Sequence, residues 1–419
     1  MRGPLLAVGL FALVGLASTP RAQAQIAPET TGKVETLPQP PSPHWVWTAD
    51  LVLERISLLD ADSGRYLGLL NGGYGPFLPM FSLKRNEIYI PATYFSRRWH
   101  GDRTDVLEIH DATTLGFLGE VVLPPKRATN AVALGHAALS DDEQFAAIFN
   151  WTTGTGLTIV DVAKRTVTAE VSTPGCSLVY AAGPRRFFSL CGDGTVFVLT
   201  IDDQGRELTR QQTPSFHDPR VDPVTEKAVR LGDQWLFVSF EGKVHGVDVS
   251  GVDLKFNEPW SLFTDDDRNA KWRVGGAQHL AIHERTGRLY SLVHRGGAST
   301  HKDSGEEVWI YDVAAKKRIE RVKLCNPGLT IYGFPIEAPA NWVWPFKRMP
   351  EWILDHFVPA FVTHIQVTRD DKPLLITASQ VSGSLGIYDA MSGQFVRRVL
   401  PTGWTTDLLV TPWGGKAAP

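Results

Sequence analysis

A short motif recurs seven times along this chain and restricts its fold more than any other feature. In each copy an apolar run ends on an Asp, a turn follows two to four residues later, and a second apolar run begins. The copies are Ile56 to Asp60, Leu107 to Asp111, Leu157 to Asp161, Val196 to Asp202, Val244 to Asp248, Val308 to Asp312 and Leu385 to Asp389. Period-two alternation into a turn reads as a β-hairpin, with the Asp carboxylate placed to cap the turn amides. A polar turn and a further strand precede six of the copies, as in Arg85-Asn86 before Ile88 to Ile90 and Asp370-Asp371 before Leu374 to Ile376. The Asp positions are mostly 41 to 51 residues apart, stretching to 64 and 77 near the end. Several strands per repeat at that spacing predict an all-β, seven-bladed β-propeller.

The first copy lacks its preceding turn-and-strand element, and an unpaired apolar strand, Leu408-Leu409-Val410, stands near the C-terminus. Circular closure solves both problems: the C-terminal strand completes the first blade, beside the strand around Leu53 to Leu59, and removes an exposed sheet edge. The propeller is placed at residues 44–419, with an aromatic-rich insertion at about 325–362 that stretches the last repeat.

Ahead of the propeller, Met1-Arg2-Gly3 carries one positive charge, Pro4 to Ser18 is uncharged and apolar, and Ala22-Gln23-Ala24 has the small-x-small cleavage pattern. This reads as a secretory signal peptide over residues 1–24, too short for a permanent span, and points to the periplasm. Residues 25–43, rich in Pro, Thr and Gln, read as a flexible leader. The formal net charge is −3, with no basic block or Lys/Arg stripe, which argues against nucleic acid as a partner. Only three Cys occur. Cys176 and Cys191 flank a turn at Gly183-Pro184, so in an oxidising compartment their spacing allows a hairpin disulfide, worth roughly 3 kcal/mol by loop closure. Cys325 is left over and reads as a free buried thiol, with an intermolecular bridge as the alternative.

No nucleophile elbow, phosphate loop, HExxH, CxxC or CxxCH is present, and no residue is assigned a catalytic, cofactor-binding or metal-binding role. Gly72 to Gly75 reads as a blade turn. His279 and His283 are four apart on a strand-turn segment, a spacing that does not bring two imidazoles together, so both read as structural. His294 and His301 flank the Gly-rich loop after Arg295 and read as loop histidines held by hydrogen bonds. Asp265-Asp266-Asp267 reads as a solvated turn, with weak calcium binding as the alternative. The insertion holds Trp342, Trp344, Trp352 and Phe357, with a short helix predicted over Pro350 to Phe357. Aromatic clustering of this kind marks either self-packing or a partner-docking surface.

Several stretches also carry a family resemblance: Arg103 to Glu108 running to Leu123-Pro124-Pro125-Lys126-Arg127, Cys191-Gly192-Asp193-Gly194, Pro259 to Leu262 through Asp267, Lys271 to Gly276, His283 to Tyr290, Thr300-His301-Lys302 and Asp371 to Leu375. The chain resembles the large subunit of tryptophan-tryptophylquinone amine dehydrogenases, the aromatic amine branch more closely than the methylamine one. The resemblance implies a non-catalytic propeller subunit in a periplasmic two-plus-two heterotetramer. A small, disulfide-dense subunit would carry the tryptophan tryptophylquinone and the catalytic base, with electrons passing to a small copper protein. It also implies that the family's large-subunit disulfide falls on Cys176 and Cys191. Val274 stands where the family usually has Pro, and the family lacks most of the insertion after Leu324. The alternative is a stand-alone periplasmic propeller that binds a ligand or partner without a quinone subunit.

Overall fold

The computed structural model describes residues 36–75, 77–129, 134–328, 330–331, 334–335, 358–399 and 403–414. Seven antiparallel sheets follow one another along the chain as the blades of a β-propeller. Blade 2, from the inside outward, is Met80–Ser82, Glu87–Phe95, Arg103–Asp111 and Phe117–Leu123. Blade 3 is Ala137–Leu139, Phe145–Asn150, Gly156–Asp161 and Thr166–Ser172. Blade 4 is Cys176–Ala181, Arg186–Cys191, Val196–Ile201 and Glu207–Gln212. Blade 5 runs Val229–Leu231, Gln234–Val238, Lys243–Asp248 and Lys255–Phe256. In blade 6, Trp272–Val274 and Leu280–His283 both pair with Arg288–Arg295, followed by Glu307–Asp312 and Lys317–Lys323. Blade 7 is His364–Val367, Leu374–Ser379, Ser382–Asp389 and Phe395–Val399.

Blade 1 is closed by both ends of the chain. Its third and outermost strands are Arg55–Asp60 and Tyr66–Asn71, and its innermost is Leu408–Val410. Between them lies Trp45–Asp50, so Leu408–Val410 pairs with Trp47 to Ala49 and not with the strand around Leu53 to Leu59. The expected closure holds, but its partner strand is one position further in. Trp413, just past the closing strand, packs against Trp45, Trp47 and Phe81 at ring separations of 5.7, 6.3 and 6.0 Å and fixes the seam. Leu37, read in the sequence as leader, is buried in the same cluster, and its amide donates to the Thr113 carbonyl. Its apolar side chain has a place to go between blades 1 and 2.

The seven repeated Asp residues explain how each blade turns. Each sits at or just past the end of the third strand of its blade and accepts an amide from the residue two or three positions on, as in Asp111 with Thr113 and Thr114, and Asp389 with Met391 and Ser392. The two middle strands of a blade are buried on both faces because alternate side chains serve alternate neighbours. Ile56 and Leu58 pack toward blade 2, whereas Val46 and Leu59 pack toward blade 7. Seven apolar clusters result, one in each gap between adjacent blades. Outer strands have solvent on one side; Glu207–Gln212 is exposed at every position. Among the described residues no helix is long and apolar enough to cross a membrane.

Candidate functional site on the loop face

In a meandering blade the turn between the second and third strands and the connection to the next blade emerge at the same end. One face of the ring therefore collects the long loops, and the Asp-capped turns lie on the other. The loop face has a buried polar centre. Lys227, 5% exposed, donates to Glu226 Oε1 at 2.7 Å, and the Tyr180 hydroxyl donates to the Glu226 carbonyl at 2.8 Å. Thr225 Oγ1 lies 2.9 Å from His279 Nε2 inside the fold, and Thr363 Oγ1 lies 2.9 Å from His364 Nδ1. Gln278 binds both the amide and the carbonyl of Leu409, tying blade 6 to the innermost strand of blade 1.

Burial dominates the electrostatics here. It holds the His364 imidazole down at about 4, with the Lys227 cation adding to the effect. His136 is likewise held at about 4, by burial and then by the Arg127 guanidinium. His279 is pushed well below the ordinary value by burial, then by Lys227 and His301. These imidazoles are neutral at physiological pH, and the Lys227–Glu226 pair is internally compensated. The cluster reads as a hub that fixes blades 4 to 7 and 1 together, and it leaves the Glu226 carboxylate part-exposed.

Of the histidines singled out in the sequence, His279 and His283 lie on one inner strand segment but serve different neighbours: His283 bonds Thr286 Oγ1 and the Asp370 carbonyl at 2.8 Å each. His294 Nε2 lies 2.9 Å from Thr300 Oγ1, and His301 stacks on Phe240 at 3.6 Å. Asp265–Asn269 forms a one-turn helix instead of a solvated turn. Thr264 and Asp267 cap it reciprocally, and Asp267 pairs with Arg318 at 2.8 Å. Cys176 and Cys191 face each other across the blade 4 hairpin and are joined as a disulfide, with Cys325 free. Gly72 to Gly75 lies in the connection from blade 1 to blade 2, where Gly73 has φ 68° and its ideal Cβ would sit 2.7 Å from the Thr93 carbonyl oxygen. Trp342, Trp344, Trp352 and Phe357, with the helix predicted over Pro350 to Phe357, lie outside the described residues.

Sequence reasoning missed the exposed aromatics of the loop face. Trp99, Trp151 and Trp404 are 61%, 53% and 44% exposed, and Val52, Phe361 and Val381 join them there. Trp99 and Trp151 lie in polar loops without periodicity to mark them, whereas Val52 lies between Leu51 and Leu53 and Phe361 between Ala360 and Val362.

The family model for the methylamine dehydrogenase heavy chain matches residues 49–334, from the second strand of blade 1 to the start of the insertion. The chain belongs to the methylamine dehydrogenase heavy chain family. Relatives of this chain include the methylamine dehydrogenase heavy chain of Methylophilus methylotrophus, 25% identical over 338 residues, which cover 80% of this chain and 74% of that protein. The heavy chain of Paracoccus versutus is 24% identical over 356 residues, covering 84% and 75%. Among solved structures, a functionally unknown protein from Desulfotomaculum acetoxidans aligns with a TM-score of 0.53 at 12% identity, over 88% of this chain and 98% of that one. Dihydro-heme d1 dehydrogenase NirN aligns with a TM-score of 0.50 at 15% identity, over 91% and 78%. These two likenesses speak to the propeller fold alone.

Proposed function

We propose that this chain is the large, non-catalytic subunit of a periplasmic, quinone-dependent amine dehydrogenase, exported by a signal peptide over residues 1–24. The observation that carries the reading is the heavy-chain family match over residues 49–334, which spans blades 2 to 6 and the two outer strands of blade 1. In this reading a small partner subunit bears the tryptophan tryptophylquinone and the catalytic base, in a two-plus-two assembly. The quinone supplies an electron sink for the amine. A primary amine and one water yield aldehyde, ammonia, two protons and two electrons, and the electrons leave to a small copper protein.

The present chain contributes a rigid wall and docking surface. Its three Cys, two of them already joined to each other, do not fit a disulfide-dense cofactor subunit. The exposed Phe361 and Val381 on the loop face suit a protein partner, since the buried centres of interfaces are apolar and depleted of charge. Trp342, Trp344, Trp352 and Phe357 are assigned to the same docking role. Their segment leaves after Gly328, whose carbonyl accepts from Ser382 Oγ at 2.6 Å in blade 7.

The test is reconstitution. Purified alone, the chain should lack absorbance from a quinone and reduce no dye with primary amines. Co-produced with a small Cys- and Trp-rich secreted subunit, it should assemble and show amine-dependent dye reduction. Dye reduction by the isolated chain would overturn the non-catalytic assignment. Failure to bind any such subunit would favour the stand-alone propeller.

A further inference from the structure

The chain leaves the outer strand of blade 4 at Gln212 and reaches the inner strand of blade 5 at Val229, crossing the loop face on the way. The far end of this connection is tied to blade 5. Val224 bridges to Ser239, Thr225 N donates to the Val238 carbonyl, and the hub residues Glu226 and Lys227 follow. The near end, residues 213–222, is held by two side chains. Phe216 is a plug: its ring stacks on Phe256 at 5.1 Å and packs into the apolar gap between blades 4 and 5, while its amide donates to the Gly194 carbonyl at 3.0 Å. Asp222 is a pin, accepting from Ser239 Oγ at 2.8 Å and from the Glu241 amide at 3.0 Å.

Two imidazoles sit beside plug and pin. His217, next to Phe216, and His245, on the third strand of blade 5, have ring centres 6.1 Å apart. Both rest on the Phe216 ring, at 4.5 and 5.9 Å, and the His245 ring donates to the Phe216 carbonyl. His217 Nδ1 and His245 Nε2 are each buried with no hydrogen-bond partner among the described residues. A proton added to either nitrogen would bring a charge and an N–H that the closed connection leaves unpaired. The charged groups facing the pair are Asp218 and Asp222 on the connection and Lys243 on the strand of His245. Asp222 is already engaged by Ser239 and Glu241, with Lys243 at 3.8 Å. On the blade 4 side, the turn under the connection carries Asp193, whose carboxylate accepts from Thr195. Burial outweighs the aspartates and holds both imidazoles below the ordinary value, and His217 adds to the effect on His245.

We propose that residues 213–222 form an acid-released flap on the loop face, latched by the His217–His245 pair while both rings are neutral. Once the flap lifts, each ring regains water and takes up a proton near the ordinary 6.5, so opening becomes easier as pH falls below about 6.5. Two neighbouring imidazolium groups also repel each other, so the second proton favours the open flap further. The paired end, from Val224 onward, stays with blade 5, and the ring of blades remains closed. Lifting uncovers Phe256 and the outer part of the gap between blades 4 and 5. The device belongs to this chain alone and stands apart from the amine dehydrogenase reading.

Hydrogen–deuterium exchange of the full chain tests this, read by mass spectrometry at pH 7, 6 and 5 and corrected for the intrinsic exchange rate at each pH. In wild type, protection of peptides within residues 213–222 should fall roughly tenfold or more between pH 7 and 5. The middle strands of blades 4 and 5 should remain unexchanged over the same interval. His217→Gln and His245→Gln should each remove about half of the fall on a logarithmic scale. His217 lies on the half-exposed flap, so His217→Gln alone decides the matter if His245→Gln does not fold. Exchange of the middle strands together with the flap means opening of whole blades and overturns the proposal. An undiminished fall in His217→Gln overturns the latch, and constant protection of wild type from pH 7 to 5 overturns the flap itself.

Discussion

A buried imidazole held neutral in the fold but free to ionise once unfolded makes stability depend on pH. His136 and His364 are both held at about 4, against an ordinary 6.5. Between those values the unfolded chain binds more protons than the folded one, so stability is complete above about pH 6.5 and declines toward pH 4. Each residue should remove on the order of 2 kcal/mol by the lower end of that window. A melting series from pH 7 to 4.5 checks this; His364→Gln should flatten the slope, and an unchanged slope would dismiss the residue as its source. The turn aspartates act lower. Hydrogen bonds from Ser392 and Met391 hold the Asp389 carboxyl below its usual range, so its contribution is present above about pH 4 and lost as pH falls through the depressed value. Asp389→Ala should cost about 1 kcal/mol at pH 7 in chemical denaturation. The Asp caps were legible in the sequence because a turn and its cap are local. The depressed histidines were not, because their burial comes from blades far apart in the chain.

Among the elements, the closing strand carries the most consequence per residue. Leu409 is fully buried in the gap between blades 7 and 1, and its backbone is clamped by Gln278. Leu409→Ala should lower stability by about 2–5 kcal/mol, measured by urea denaturation. Removing residues 408–414 should give an aggregating product in size-exclusion chromatography, since it bares an apolar edge strand. The blade 4 disulfide should matter less. Cys176→Ser with Cys191→Ser should cost about 2–4 kcal/mol, and protection from hydrogen exchange should fall mainly in blade 4. The closing strand itself could be read from sequence. Its partner Trp45–Asp50 could not: it follows a Pro-rich stretch without the usual polar turn, because its inner neighbour arrives from the other end of the chain.

At the scale of the molecule, blade number and the all-β class were legible because the repeat states them seven times, and because each blade needs both neighbours to bury its middle strands. What the loop face does was less legible. Arg97, Arg98 and Trp99 stand exposed at the tip of a blade 2 hairpin because its two strands, Glu87–Phe95 and Arg103–Asp111, run nine residues each, and strand length is set by the pairing partner.

The ring also sets a condition on synthesis. Asp50 and Thr405 are hydrogen-bonded across the seam although 355 residues separate them. Translation at roughly 5–20 residues per second leaves the strand at Trp45 waiting about 20–70 s for its inner neighbour. Any chain broken off before Leu408 keeps that edge bare. The seam is thus a check on completeness: a chain that stops before Leu408 leaves the Trp45–Asp50 edge unpaired and should be cut by added protease faster than the full chain.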